Sequence, residues 1–386
     1  MAEADVQRWR ERRRRWLTVL ASIVLALLIG AILMIISDPE VIGQYQYLFT
    51  APALPLGASW VKVSSAYSAL FIGAVGSPTA LASTAWQAAP LICAGLGVGL
   101  AFRAGLFNIG AQGQAIWGSV AAAYVGFAWE LPAWIHLPLA ILAGILAGGV
   151  WGGIVGFLKA RTGAHEVIVT IMMNFIAAGS LTWLLLTPAF LRPNRIDPLA
   201  PPIHSSAAFP ILYGQLTVGF LVALLAAALT WWLLDRSTIG FAIRAVGTNP
   251  QAAGTAGMSV GATTIIAMAV SGALAGLAGV QYALSPGADG FATPLSTGLV
   301  ATVGFDAITV ALLGRSRPGG IVLAGLLFGG LHSGGLTMMS RAQTPDTLTM
   351  VLQALIVLFV AAPAIVTALM PKVRPPAEGA LAPGAA

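Results

Sequence analysis

The chain has 386 residues, 58% of them hydrophobic and only 8% charged, with a mean hydropathy of +0.88 and a formal net charge of +6. Soluble domains carry roughly 25% charged residues, so this composition excludes an ordinary soluble fold and points to an integral membrane protein. The excess of positive charge requires no nucleic acid, because Arg8, Arg10 and Arg12 to Arg15 stand directly before the first apolar run, where anionic lipid headgroups attract them.

A helix crossing a hydrocarbon layer of ~30 Å needs about 20 apolar residues. Ten stretches satisfy this, near 17–36, 79–101, 109–128, 137–158, 167–187, 214–234, 259–284, 295–314, 318–340 and 347–370. The expected fold is therefore an all-α, polytopic membrane protein of about ten transmembrane helices. A basic segment, 1–16, precedes the membrane domain, 17–370, and a tail rich in Pro, Ala and Gly, 371–386, reads as disordered. The first run is long and no Ala-x-Ala cleavage pattern follows it, so it is expected to stay attached rather than to be removed as a signal peptide. With the N-terminus inside, 15 of the 19 Lys and Arg residues fall on the cytoplasmic side, which places both termini in the cytoplasm by the positive-inside rule.

Residues 37–78 include Asp38-Pro39, Ala51-Pro52 and Pro55, and then a moderately apolar stretch from Ala66 to Val75 suited to the membrane surface. Glycines follow inside the apolar runs at spacings of three and four, among them Gly144, Gly148, Gly152, Gly272, Gly276 and Gly279. Small residues at that spacing let membrane helices approach closely, since lipid supplies no hydrophobic drive for association. The six prolines of 188–213 rule out a regular helix there and leave an irregular extracytoplasmic cap.

Residues Asp235 to Gly257 form a polar island between two apolar runs. Asn249 suits an N-cap, Pro250 the first helical position and Gly257 a C-terminal stop, so local chemistry specifies a helix of about two turns at 249–256. By the charge asymmetry this loop faces the cytoplasm, where it reads as a docking handle.

Polar residues within the runs are the candidates for a solute path. Asp306 is the only charge within a span, and a carboxylate at bilayer depth costs about 2.5 kcal/mol or more unless paired or hydrated. It is expected to line a cavity or to bond exposed backbone near a helix break at Gly304. Asn174, Asn108, Gln112 and Gln114 offer amides to a polar solute or a neighbouring helix. Glu166 is open to a gate, an ion pair with Arg161 or solvation. Trp86 and Phe107 have faces that suit stacking on a nucleobase, although aromatic residues in membrane helices commonly pack or mark interfaces.

No Gly-x-x-x-x-Gly-Lys-Ser/Thr loop surrounds any of the three lysines, so the chain is expected to carry no ATPase site of its own. The four histidines are scattered, with no spacing for a metal. No nucleophile stands beside a base, and the reading is of a non-enzyme without a bound cofactor. Cys93 is alone and forms no disulfide within the chain.

The stretch Phe102-Arg-Ala-Gly-Leu-Phe-Asn-Ile-Gly-Ala-Gln-Gly-Gln114 resembles the hallmark of bacterial ABC importer permeases for nucleosides and simple sugars, the branched-chain amino acid/ribose-type family. Glu166 to Asn174, Gly304 to Gly314 and Ile243 to Ala253 resemble the same permeases, and together the motifs extend from about Tyr67 to Gly335. Many relatives carry Glu where Gln112 stands, and often Asn where His165 stands. The resemblance implies a permease subunit of the bacterial inner membrane that pairs with a second permease, a cytoplasmic ABC ATPase that uses ATP, and an extracytoplasmic substrate-binding lipoprotein. It further implies that Arg244, Asn249, Pro250, Gln251, Ala252 and Ala253 couple to the ATPase. Nucleosides are the expected solute. Simple sugars are the alternative, a stand-alone ion-coupled transporter using Asp306 is the rival from another class, and a purely structural membrane protein is a third reading.

Overall fold

The computed structural model describes residues 21–361; the basic segment 1–16 and the tail 371–386 lie outside the described residues, as do the ends of the first and last expected spans. The described residues divide into two compact units, one made of 21–55 together with 350–361, the other of 56–349.

In the first unit, α1 (Ala21–Ser37) is followed by a turn of 74° into Pro39–Tyr47. The bend has a local cause. Pro39 opens α2 (Pro39–Gln44), and Asp38 caps it by accepting from the Glu40 and Val41 amides at 3.0 and 3.2 Å. Ser22 donates to the Phe359 carbonyl at 2.9 Å, which ties α1 to α14 (Asp346–Ala361) within this unit.

In the second unit, α4 (Pro78–Arg103) is the central helix, buried along most of its length. Ser77 caps it and Pro78 occupies its first position. Around it lie α5 (Ala111–Ala128), α6 (Ala133–Thr162), α7 (Glu166–Leu185), α8 (Val218–Arg236), α11 (Val260–Leu284), α12 (Val303–Leu313) and α13 (Pro318–Ala342). Among the described residues, six helices are long and apolar enough to cross a membrane, or seven if the bent pair forms one span. The run at 295–314 differs from the expected full span, because only Val303–Leu313 is helical. The residues before it are instead committed to the cap, where the Ala200 amide donates to Leu295 at 3.0 Å and Leu199 pairs with Ser296. The proline-rich segment is not helical apart from the 3-10 turn Ser205–Ala207, and a short antiparallel hairpin, β1 (Ile211–Tyr213) and β2 (Leu216–Thr217), follows.

The stretch from Ala66 to Val75 belongs to α3 (Ala53–Val75) and packs on α13 rather than standing alone. Ser333 donates to the Gly73 carbonyl at 2.9 Å, and a Cβ added at Gly73 would collide with Thr337.

The tightest packing joins α5, α6 and α11 through their glycines. A Cβ at Gly148 would strike the Gly272 carbonyl, and one at Gly272 would strike that of Gly148. At Gly276 it would lie 2.6 Å from the Gly144 carbonyl and 2.9 Å from the Gly148 Cα. Gly118 and Gly279 bring α5 against the same helix, facing Gly276 and Ala115. Backbone therefore lies directly on backbone, which only small side chains allow.

Candidate translocation site

The hallmark stretch begins where α4 ends. Gly105 takes a φ of +70°, a left-handed conformation that suits glycine, and the chain crosses residues 104–110 before α5 starts. This short irregular connection contains more buried polar contacts than any apolar packing would need. Asn108 is buried and donates from Nδ2 to Gln114 Oε1 at 2.8 Å and to Ser271 Oγ at 2.7 Å. Its Oδ1 accepts from the Gly110 amide at 3.0 Å and from Gln114 Nε2 at 3.2 Å. Ser271 in turn donates to the Gly97 carbonyl at 2.7 Å. Asn108 and Gln114 thus form a buried network that fastens α4, α5 and α11, with both side chains closed to a solute in this conformation.

Asn174 holds the same segment from α7: its Oδ1 accepts from Gly113 at 2.8 Å and its Nδ2 donates to the Ile109 carbonyl at 3.0 Å. Gln112 acts on the other side. It donates to the Ala301 carbonyl and accepts from the Gly304 amide at 2.8 Å, so one amide fastens two backbone groups at the start of α12. Gly304 is needed there because a Cβ would overlap the Gln112 backbone.

Asp306 stands in the first turn of α12 and accepts from Thr302 Oγ1 at 3.0 Å. A carboxylate at that position also meets the positive end of the helix. Electrostatic neighbours of Asp306 are Tyr282 on α11 and His332 on α13. Sequence reasoning missed both, and no local signal marks them, since they meet Asp306 only through helix packing. Ala301, Thr302 and Phe305 are exposed beside it.

Glu166 is buried at the start of α7 and pairs with Lys159, not with Arg161, and the Phe107 amide faces its carboxylate. The reason is geometric. α6 ends at Gly163, with φ of +70°, and the turn brings Lys159, rather than Arg161, against the first residue of α7. Phe107 itself is exposed, with its ring 5.1 Å from that of Phe102. Trp86 lies on α4 about two and a half turns before Gly95, which packs on Val310 of α12. Its indole nitrogen is buried without a hydrogen-bond partner. The structure therefore gathers Asn108, Gln112, Gln114 and Asn174 around one irregular segment, joins Asp306 to them through Gln112 and Gly304, and sets Glu166 and Phe107 at the segment's entrance.

The polar island is two helices. α9 (Thr238–Thr248) is capped by Ser237 and buries Gly240, Ile243 and Val246, an i, i+3, i+6 face. α10 (Pro250–Thr255) follows, with Asn249 Oδ1 accepting from the Ala252 amide at 3.0 Å, and Gly257 ends the turn at φ of +86°. Asn249, Pro250, Gln251 and Ala252 are exposed, whereas Ala253 is buried at the root of the helix. Arg244 faces Asp235 at 3.5 Å. Gly247, near the end of α9, presses on the Arg103 to Gly105 turn so closely that a Cβ would overlap the Arg103 carbonyl. The island is thereby in direct contact with the hallmark segment.

Residues 80–361 match the model of the family described as branched-chain amino acid transport system / permease component. The guanosine ABC transporter permease protein NupP of Bacillus subtilis is 42% identical over 331 residues, 84% of this chain and 93% of that protein. The nucleoside ABC transporter permease protein NupB of Lactococcus lactis is 32% identical over 94% of this chain and 95% of its own. The glucose ABC transporter permease protein TsgB13 of Haloferax volcanii is 34% identical over 76% of this chain and 79% of its own. No solved structure matches. With apolar helices, a polar irregular segment beside a broken one, and a family match over most of its length, this chain belongs to the branched-chain amino acid-type permease components of ABC transport systems.

Proposed function

We propose that this chain is the permease subunit of an ATP-driven importer of nucleosides in a bacterial inner membrane, with both termini cytoplasmic and ATP hydrolysed by a separate subunit docked on α10. The observation that carries the solute class is the 42% identity to a guanosine permease along most of both chains. The region around Asp306 supports a path for such a solute, because a carboxylate accepts from paired ribose hydroxyls and Gln112 places an amide nearby. The exposed Ala301, Thr302 and Phe305 beside Asp306 support a second permease subunit as the facing wall. An extracytoplasmic binding lipoprotein delivers the solute in this scheme.

Uptake of labelled guanosine by the assembled complex in liposomes tests the solute, with competition by other nucleosides, glucose and ribose. Nucleosides are expected to compete and free sugars are not; the reverse result overturns the assignment. Asp306→Ala is expected to lower guanosine uptake about tenfold, the equivalent of one lost charge-assisted hydrogen bond, with the yield of folded complex unchanged. A loss of folded complex in proportion to uptake would instead make Asp306 part of the α12 framework.

Docking is tested on the exposed side of α10. Ala252→Arg is expected to leave the permease folded and to reduce solute-stimulated ATP hydrolysis several-fold. Ala253 is unsuitable for this purpose, since a charge there is forced into the root of the helix. Unchanged stimulation in Ala252→Arg would reject α10 as the docking element.

A further inference from the structure

A cavity of about 430 Å³ opens where the ends of α4 and α8 meet the start of α13. Arg103, Arg317, Gly319, Trp231, Leu234 and Asp235 line it. Its charge is unusual for the mouth of a membrane domain: two guanidinium groups share one small space. Among the described residues Arg103 spends only Nε, donating to the Ser316 carbonyl at 3.0 Å, which fixes its direction and leaves its terminal nitrogens for another acceptor. Arg317 is exposed. The carboxylate in the wall does not cancel this pair, because Asp235 already faces Arg244 at 3.5 Å. No Cβ obstructs Gly319, around which there is open space.

The remaining wall is apolar, and it continues. Leu224, half-buried, and Ala228, exposed, precede Trp231 and Asp235 on one face of α8 at i, i+4, i+7 and i+11, and the exposed Leu221 and Trp232 lie alongside, so an apolar stripe leads to the end of the helix that bounds the cavity. Arg236 lies 5.9 Å from the Trp231 ring, a guanidinium and indole pair typical of a membrane interface. A small anion would use the arginines and leave this stripe unused. A molecule with a phosphate at one end and hydrocarbon at the other uses both.

We propose that this cavity binds the phosphodiester headgroup of an anionic membrane phospholipid, whose acyl chains lie on the exposed stripe of α8. Arg103 and Arg317 hold the phosphate oxygens, and Trp231 sits at the boundary between headgroup and chain. Binding depends on the geometry alone; only the choice of the cytoplasmic leaflet rests on the orientation proposed above. Because α8 leads into α9, and Arg103 adjoins Gly247, the lipid sits at the base of the handle and braces it.

The test is thermal unfolding of the full-length permease in neutral detergent, titrated with phosphatidylglycerol, with phosphatidylcholine, or with inorganic phosphate. Phosphatidylglycerol is expected to raise the midpoint in a saturable way, and the other two are not. Arg317→Gln is expected to weaken that apparent affinity about fivefold, and Arg103→Gln similarly. Arg317→Lys keeps most of it, and Arg192→Gln, in the proline-rich cap, leaves it unchanged. If Arg103→Gln fails to fold, the Arg317 pair decides the matter. Equal stabilisation by phosphatidylcholine overturns the proposal, as does an affinity in Arg317→Gln matching that of Arg192→Gln. A shift reproduced by inorganic phosphate would assign the cavity to a free anion and reject the lipid. None of these outcomes depends on which solute is carried.

Discussion

Gly272→Leu is expected to abolish the folded permease. The substitution drives four carbon atoms into a place where even a single Cβ would overlap the Gly148 carbonyl and lie 2.9 Å from the Gly152 Cα. Both obstacles are backbone, so no rotamer change relieves them, and α6 must separate from α11. Overpacking a well-filled core by a methylene or two costs about 1–3 kcal/mol. Here the obstacle is backbone, and separating the helices also opens the close contacts at Gly276, one turn on, and at Gly118. The sum approaches the whole stability of a typical domain, about 5–15 kcal/mol. Size-exclusion chromatography of detergent extracts measures this as loss of the monodisperse peak. Gly153→Leu is the control: its nearest neighbour is the Ala269 Cβ at 3.6 Å, and it is expected to be tolerated. Equal yields for the two variants would refute the seam as the origin of stability.

Gly247→Val is expected to separate nucleotide hydrolysis from transport. Gly247 and Gly105 are the contact through which α9 touches the turn leading to Asn108. A valine there pushes α9 away from α4, while α10 keeps its cap and its exposed surface, because the Asn249 side chain bonds only within α10. The ATPase should still bind, with its movement no longer delivered to the segment. A displacement costing about 1.4 kcal/mol in the coupled state lowers uptake about tenfold. The measurement is uptake per ATP hydrolysed in proteoliposomes, together with co-purification of the ATPase. Loss of co-purification would show instead that α9 is itself part of the dock, and an unchanged ratio would show that force travels by another route.

The helix α10 was legible from three residues, because Asn249, Pro250 and Gly257 act within one turn of where they stand. α9 was not read from the same island. Its cap, Ser237, and its buried face, Gly240, Ile243 and Val246, carry the signal, but the face is short and includes a glycine that reads as a break. The start of α12 was illegible for a different reason. Nothing within 295–302 forbids a helix as strongly as Leu199 and Ala200, nearly one hundred residues earlier in the chain, compete for its backbone. The polar residues of the hallmark segment were recognisable as misfits in lipid. Their partners were not, since Ser271 for Asn108, Lys159 for Glu166 and the Ala301 carbonyl for Gln112 are all set by packing. Chemistry was thus readable residue by residue, and pairing was not.

The clamp at Gln112 has an effect on acid sensitivity. Its amide gives one hydrogen bond and takes another, to Ala301 and from Gly304, and neither end titrates. A glutamate at this position would perform both tasks only while protonated. Ionised, it still accepts from an amide but turns a negative oxygen toward a carbonyl, so such a fastening slackens as the medium becomes alkaline. In this chain the start of α12 is held by a neutral group throughout, and the clamp keeps the same strength in acidic and alkaline surroundings alike.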